Sequence, residues 1–210
     1  MKRGLFITFE GIDGAGKSTH VAWSAQFLRG RGIALTLTRE PGGTVLGEKL
    51  RELLLATEKH VSPETEALLM FAARCQHLEE VIRPALVRGD CVLCDRFTDA
   101  SFAYQGGGCG VEKKKLAALE TWVHPELQPD LTLLFDVSAQ VGRDRVARIK
   151  SPDRFERENA EFFVRVRNAY LERMAESPLR FVCIDGSRAI PDIQKQLEEI
   201  LTAVLSKWKS

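Results

Sequence analysis

The sequence predicts an α/β fold: a doubly wound sandwich of P-loop type, with a five-stranded parallel sheet flanked by helices and residues 1–210 forming one unit. Three observations predict it. Short β-rich apolar runs alternate with longer helical patterns, as right-handed βαβ crossovers require. Runs such as "LTLLFDV" are almost continuously apolar, which suits strands covered by helices on both faces. A glycine-rich segment leaves the first such run and opens a helix.

In chain order, strands are expected at Leu5–Glu10, Ala34–Arg39, Cys91–Asp95, Leu131–Val137 and Phe181–Asp185. Helical periodicity covers Lys17–Arg31, Leu46–Ala56, Pro63–Arg88, Glu112–Trp122, Ser138–Lys150, Arg157–Ala175 and Pro191–Lys207. Ligands of such a fold sit beyond the C-terminal strand ends, and the motifs below fall there.

Composition narrows the function classes. Hydrophobic residues at 44% and charged residues at 28% are ordinary for a globular chain. A net charge of +1 gives no global field toward nucleic acid or anionic lipid, so an anionic ligand needs local clusters. No run approaches the ~20 apolar residues of a membrane span, and none reads as a signal sequence. The cysteines (75, 91, 94, 109 and 183) form no framework. Cys91 and Cys94 are three apart on a strand, so their thiols diverge, and free thiols in a reducing cytoplasm are expected rather than zinc.

Gly11–Ser18 reads G-x-x-x-x-G-K-S between a strand and a helix, the P-loop pattern in its required context. Its residues Gly11, Ile12, Asp13, Gly14, Ala15, Gly16, Lys17, Ser18 and Thr19 are expected to hold the phosphates of ATP. Consecutive backbone N–H groups and the positive helix end face the anion. Lys17 is expected at the β/γ-phosphates and the Ser18 hydroxyl on Mg²⁺.

Two classes then compete: a nucleotide-hydrolysing switch, and a kinase passing the γ-phosphoryl to a small molecule. The guanine-reading string N-K-x-D is absent. Arg39, Arg51, Arg74 and Arg96 stand at strand ends, beside glycines or on helices, as a second anionic ligand would need. Transfer between two nucleotides is governed by positioning and charge neutralisation, which the planar guanidinium serves well. The kinase reading is favoured.

The segments "FEGIDGAGKST", "TREPGGT", "MFAARCQ", "DRFTDASFAYQGGG" and "DRFE" occur in that order, and together the chain resembles the bacterial thymidylate kinases. The resemblance implies transfer from ATP to dTMP, with Mg²⁺, by a homodimer. Asp95 would help hold Mg²⁺ and Arg96 would clamp the dTMP phosphate and the transferring group. Asp13 would accept a hydrogen bond from the sugar 3′-OH, with Arg39, Glu40 and Arg51 near the dTMP phosphate. Arg74 would read thymine O4, Ser101 and Gln105 the remaining base edge, and Tyr104 would lie under C2′. Alternatives are another nucleoside monophosphate or deoxynucleoside kinase, or a P-loop ATPase switch.

The family's base-stacking Phe stands four residues before the base-reading arginine. Here that position holds Met70, while Phe71 is three before Arg74; both spacings share a helix face, and Phe71 is expected over the base. Some relatives carry a catalytic arginine in the P-loop and others in a lid. This P-loop has Gly14 at the relevant position, so the resemblance implies a lid arginine from about 142–156. Arg148 is the first choice and Arg154 the second, in a cluster with Arg143, Arg145 and Lys150. The loop Asp185–Ile190 falls where a base-binding C-terminal loop would lie.

Overall fold

The computed structural model describes residues 3–56, 61–147 and 153–209. The strands form within one residue of their expected bounds: β1 (Phe6–Glu10), β2 (Leu35–Arg39), β3 (Cys91–Asp95), β4 (Leu131–Asp136) and β5 (Phe181–Asp185). All pair in parallel in the order β2-β3-β1-β4-β5. From β1 the chain goes to the edge strand β2, returns to β3 between the two, and then crosses to β4 and β5 on the other side, so the winding reverses beside β1 and opens a crevice there. Phe9 and Arg39 are both level with Asp95, which brings Glu10, Asp95 and Arg39 to one edge of the sheet.

Alternation along the strands fills two cores. Cys91 and Leu93 join Ile7 and Phe9 in one cluster; Val92 and Cys94 join Phe6 and Ile82 in the other. The two thiols of β3 therefore face opposite sides of the sheet. Fully buried rings such as Phe135 and Phe163 each contribute about 1.5–3 kcal/mol of apolar transfer.

The helices are α1 (Lys17–Gly30), α2 (Val45–Leu55), α3 (Pro63–His77), α4 (Arg83–Arg88), α5 (Thr98–Ser101), α6 (Lys113–Val123), α7 (Ala139–Val146), α8 (Ala160–Glu176) and α9 (Ile190–Lys209). Side-chain caps set several starts: Thr44 on Gly47 N at 2.9 Å, Ser138 on Val141 N at 3.3 Å, and Asn159 on Phe162 N at 2.8 Å. Asn159 also explains why α8 begins later than the expected Arg157. In α9, Ile193, Leu197, Leu201 and Leu205 recur every four residues and are buried. No helix among the described residues is long and apolar enough to cross a membrane.

Two elements differ from expectation. The single helix expected over Pro63–Arg88 is interrupted by π-helical winding at Leu78–Ile82, where Arg83 N–H bonds to Leu78 O. Pro84 has no N–H for the i−4 carbonyl, and the wider turn before it absorbs that defect. The stretch after β3, which no expected helix covers, is helical: α5 runs directly into π-helical Phe102–Gly108, which packs on α8.

Candidate active site

β1 delivers the chain into the P-loop. Gly11 has φ 132°, and a Cβ there would collide with Phe135 O, so glycine is required. Gly16 caps α1 without a side-chain acceptor, and the first turn has no acidic residue. Its first N–H groups are therefore free of intrahelical partners, as an anion site needs. Gly14, Gly16, Lys17, Ser18 and Thr19 line a cavity here, whereas the Ile12 and Ala15 side chains belong to the core. Lys17 Nζ donates to Gly11 O and Ile12 O, both at 2.9 Å. Burial, reinforced by Arg96, lowers the ammonium to about 8.

The end of β3 supplies the opposite wall. Asp95 lines the same cavity, and its Oδ1 is buried without a partner. Arg96 follows at φ 67°, the one non-glycine at positive φ among the described residues, a conformation costing about 1–2 kcal/mol. Several bonds hold it. Its N–H donates to Phe9 O at 2.9 Å, and its guanidinium donates to Gly11 O (2.9 Å), Tyr104 OH (3.0 Å) and Tyr170 OH (3.1 Å). It also pairs with Asp13. Burial alone would raise the Asp13 carboxyl, but Arg96 and Lys17 outweigh it and hold Asp13 below the usual range. Beneath this turn, Glu10 accepts from Phe97 N at 2.7 Å and Tyr170 OH at 2.9 Å. Burial, with the charge of Asp99, pushes Glu10 up to about 8.

A second cavity continues from the first and shares Asp13, Glu40, Arg51, Arg96 and Asp153 with it. Met70, Arg74, Ser101, Tyr104 and Gln105 line its far part, with Phe97 and Phe155. Arg74 is buried, donating Nε to Glu40 Oε2 (2.7 Å) and Nη2 to Phe97 O (3.2 Å) and Ser101 Oγ (2.9 Å). Its Nη1 is buried with no acceptor. Glu40 also meets His77 Nδ1 at 3.0 Å; burial would raise its carboxyl, but Arg74 and His77 hold it low. Tyr104 OH donates to Asp13 Oδ2 at 2.7 Å, and Gln105 Nε2 to Glu66 Oε1 at 2.7 Å. Arg51 donates to Pro41 O at 3.0 Å beside a cis Glu40–Pro41 bond, and Arg39 to Glu48 at 2.9 Å on the rim.

Two expectations are corrected. Phe71 does not cover the cavity: it is buried with Ala67, Phe102 and Leu116, its ring centre 4.5 Å from the Arg74 guanidinium carbon, and Met70 is the residue that lines. One residue on a helix is a turn of about 100°, enough to send neighbours to different surfaces. Arg154 lines neither cavity; it pairs with Glu66 and donates to Leu54 O at 3.3 Å. Arg148 and Lys150 lie outside the described residues.

Some site residues escape sequence reasoning. Arg145 belongs to the basic cluster, where nothing in the sequence gives it a role of its own. It lines the phosphate cavity and donates Nη1 to Gly14 O (3.1 Å) and Gly186 O (3.0 Å). That second bond ties the Asp185–Ile190 loop to the P-loop. Asp153, Phe155 and Glu156, all from the "DRFE" segment, also line the cavities. Glu10 and Tyr170 meet across 160 residues, and no local pattern announces such a pair. Gly14 has φ 77°, and a Cβ there would collide with Gly142 O of α7, so this position has no room for a side chain.

Two joined cavities, one a phosphate cradle and one a polar-tipped slot, are the layout of an enzyme that holds two nucleotides. The thymidylate kinase family model matches residues 9–197. The chain is 59% identical to the thymidylate kinase of Methylobacillus flagellatus, over 95% of this chain and 97% of the relative. It is also 59% identical to that of Cupriavidus metallidurans, over 96% and 100%. A crystal structure of the Ehrlichia chaffeensis thymidylate kinase superposes with a TM-score of 0.79 at 32% identity, covering 95% of this chain and 99% of that one. Motif order, sheet topology, paired cavities and full-length likeness agree, and the chain belongs to the thymidylate kinase family.

Proposed function

We propose that the protein phosphorylates dTMP to dTDP with ATP as donor. One observation carries the choice of acceptor: the buried, unpartnered Arg74 Nη1 in the second cavity. A buried donor favours a ligand carbonyl, as at thymine O4, and penalises an amino group there. Met70 and Phe97 offer apolar cover for a base, and Ser101 and Gln105 further polar contacts. Tyr104 and Asp13 suit the sugar, Tyr104 leaving no room at C2′ and Asp13 accepting from the 3′-OH. Arg39, Arg51 and Arg96 suit the acceptor phosphate, with Glu40 beside them held by Arg74 and His77.

A dTMP phosphate oxygen attacks the γ-phosphorus of ATP; that P–O bond forms as the bond to the β-bridging oxygen breaks, its electron pair leaving on ADP. Lys17, Arg96 and the P-loop amides neutralise the charge that gathers. The donor set fits Mg²⁺: Asp95 Oδ1 is an unpartnered buried oxygen, and Ser18 lines the same cavity. Among the described residues there is no cluster of three or more His, Cys, Asp or Glu, in keeping with a magnesium held largely by phosphates and water. When bound, Mg²⁺ supplies charge neutralisation and orientation of the donor phosphates.

The segment at about 142–156 serves as the lid, and its Arg148 is proposed as the transfer arginine, since Arg154 is engaged by Glu66. Two finer proposals accompany this. A homodimer is supported by exposed Leu68 and Trp122, which share one surface with Leu119 on α3 and α6; sedimentation velocity should give twice the chain mass. A cytoplasmic setting is supported by unpaired thiols, Cys75 and Cys183 among them exposed.

The test is ADP formation across nucleoside monophosphates. Turnover should require dTMP; ATP hydrolysis indifferent to every monophosphate overturns the proposal. Arg74→Ala should cost dTMP at least tenfold in kcat/KM and blunt selectivity, with a thermal melt to separate folding, because Glu40 then keeps only His77 of its two buried partners. Arg148→Ala should lower kcat with both KM values little changed.

A further inference from the structure

We propose that Glu66 is a positioning residue that joins recognition of the base to placement of the Asp153–Glu156 arm. The inference rests on the dTMP kinase reading above. Glu66 lies in the first turn of α3 and is 1% exposed, an unusual place for a carboxylate. It lines neither of the two site cavities itself. Its Oε1 accepts from Gln105 Nε2 at 2.7 Å, and its Oε2 pairs with Arg154. Gln105 lines the base cavity from one side. Arg154 adjoins Asp153 and Phe155, which line it from another, and its guanidinium carbon stands 4.3 Å from the Phe155 ring centre.

One carboxylate thus bridges two walls of the cavity from behind. The chemistry makes the link directional. An ionised carboxylate only accepts, so it fixes which end of the Gln105 amide it receives: the nitrogen. The amide oxygen is left as the acceptor for a ligand N–H. Arg154 in turn keeps the buried carboxylate compensated, since such a group without its cation is strongly destabilised. If Arg154 leaves, Glu66 loses its counter-charge; if the base pulls on Gln105, the strain reaches the same carboxylate. Base and arm are therefore coupled through Glu66.

The isosteric change Glu66→Gln isolates this role. A glutamine offers one carbonyl oxygen where two donors need two acceptors, so one of the two links must break or reverse its direction without loss of volume. With its oxygen kept on Arg154, the new side chain would present its NH₂ to Gln105, flip that amide and turn a donor to the base. Glu66→Gln should therefore raise KM for dTMP about tenfold, leave KM for ATP within twofold, and reduce the preference for dTMP over dCMP. A merely structural role would shift the melting temperature without this split.

The decisive measurement is a double-mutant cycle of Gln105→Ala and Arg154→Ala on dTMP affinity by calorimetry. Glu66 is the partner these two side chains have in common, so non-additivity of threefold or more is expected, and it should vanish in the Glu66→Gln background. Additivity within twofold overturns the inference, and the cycle remains decisive if Glu66→Gln fails to fold. Wild-type turnover that does not require dTMP would instead sink the parent reading, so the two failures are distinct.

Discussion

Arg96 sits where the chain has least freedom and the site has most need. Its positive φ is tolerated because four partners, Gly11 O, Asp13, Tyr104 and Tyr170, hold its guanidinium in place. Gly14 is the opposite case, a residue defined by the absence of a side chain. Both its φ of 77° and the proximity of Gly142 O exclude a Cβ, so an arginine at 14 would have to displace α7. Gly14→Ala should therefore lower stability by at least about 1–2 kcal/mol, the cost of the left-handed conformation alone, read as a lowered melting temperature. Likewise Gly14→Arg should not restore turnover to an Arg148→Ala enzyme. Rescue to within about threefold of wild type would show that α7 yields readily and that the glycine contact is incidental.

The elements show what a single sequence reveals. The strands are legible because burial on both faces writes an uninterrupted apolar run, and the P-loop because its glycines answer a local backbone demand. Long-range demands are not legible. Gly106, Gly107 and Gly108 fall outside every expected helix, yet they belong to π-helical winding pressed against α8. A Cβ at Gly107 would come 2.6 Å from Ala169 Cβ, and one at Gly108 would meet the Phe162 ring. Tertiary packing, not propensity, accounts for those glycines. That winding carries Tyr104 and Gln105 to the cavity, with Ser101 just before it. Spacing alone does not separate Met70 from Phe71, because both i−3 and i−4 neighbour Arg74; only the core around Phe102 and Leu116 decides which turns inward. Arg154 is misplaced by its sequence neighbours for a related reason: its partner Glu66 is 88 residues away.

For the whole molecule, buried charge is concentrated under the site, and this shapes stability against pH. Asp13, Glu40 and Asp99 have folded pKa values held below their ordinary ones, so each contributes stability present above about pH 4 and lost as pH falls through the folded value. Glu10 has the opposite sign. Its carboxyl rises from 4.5 to about 8, so the folded state holds a proton there that the unfolded state has released. That contribution is fully present below pH 4.5 and is lost progressively as pH rises to about 8. The groups facing Glu10 are Asp99, Arg96, Lys17, Cys94, Tyr170 and the Phe97 amide, and of these only Lys17, lowered to about 8, titrates at the upper end of the window between about pH 5 and 8. Glu10→Gln mimics the protonated acid, keeping an oxygen for Phe97 N and an amide for Tyr170. The wild-type melting temperature should decline from about pH 5 to pH 8 by a few degrees, at roughly 2–4 °C per kcal/mol for a chain of this size. His20 and His124, held low by burial, titrate alike in both proteins and drop out of the comparison. The variant should lack the decline and be the more stable of the two at about pH 8. Parallel curves for the two proteins would mean that Glu10 is ionised throughout, balanced by Arg96 rather than by a proton.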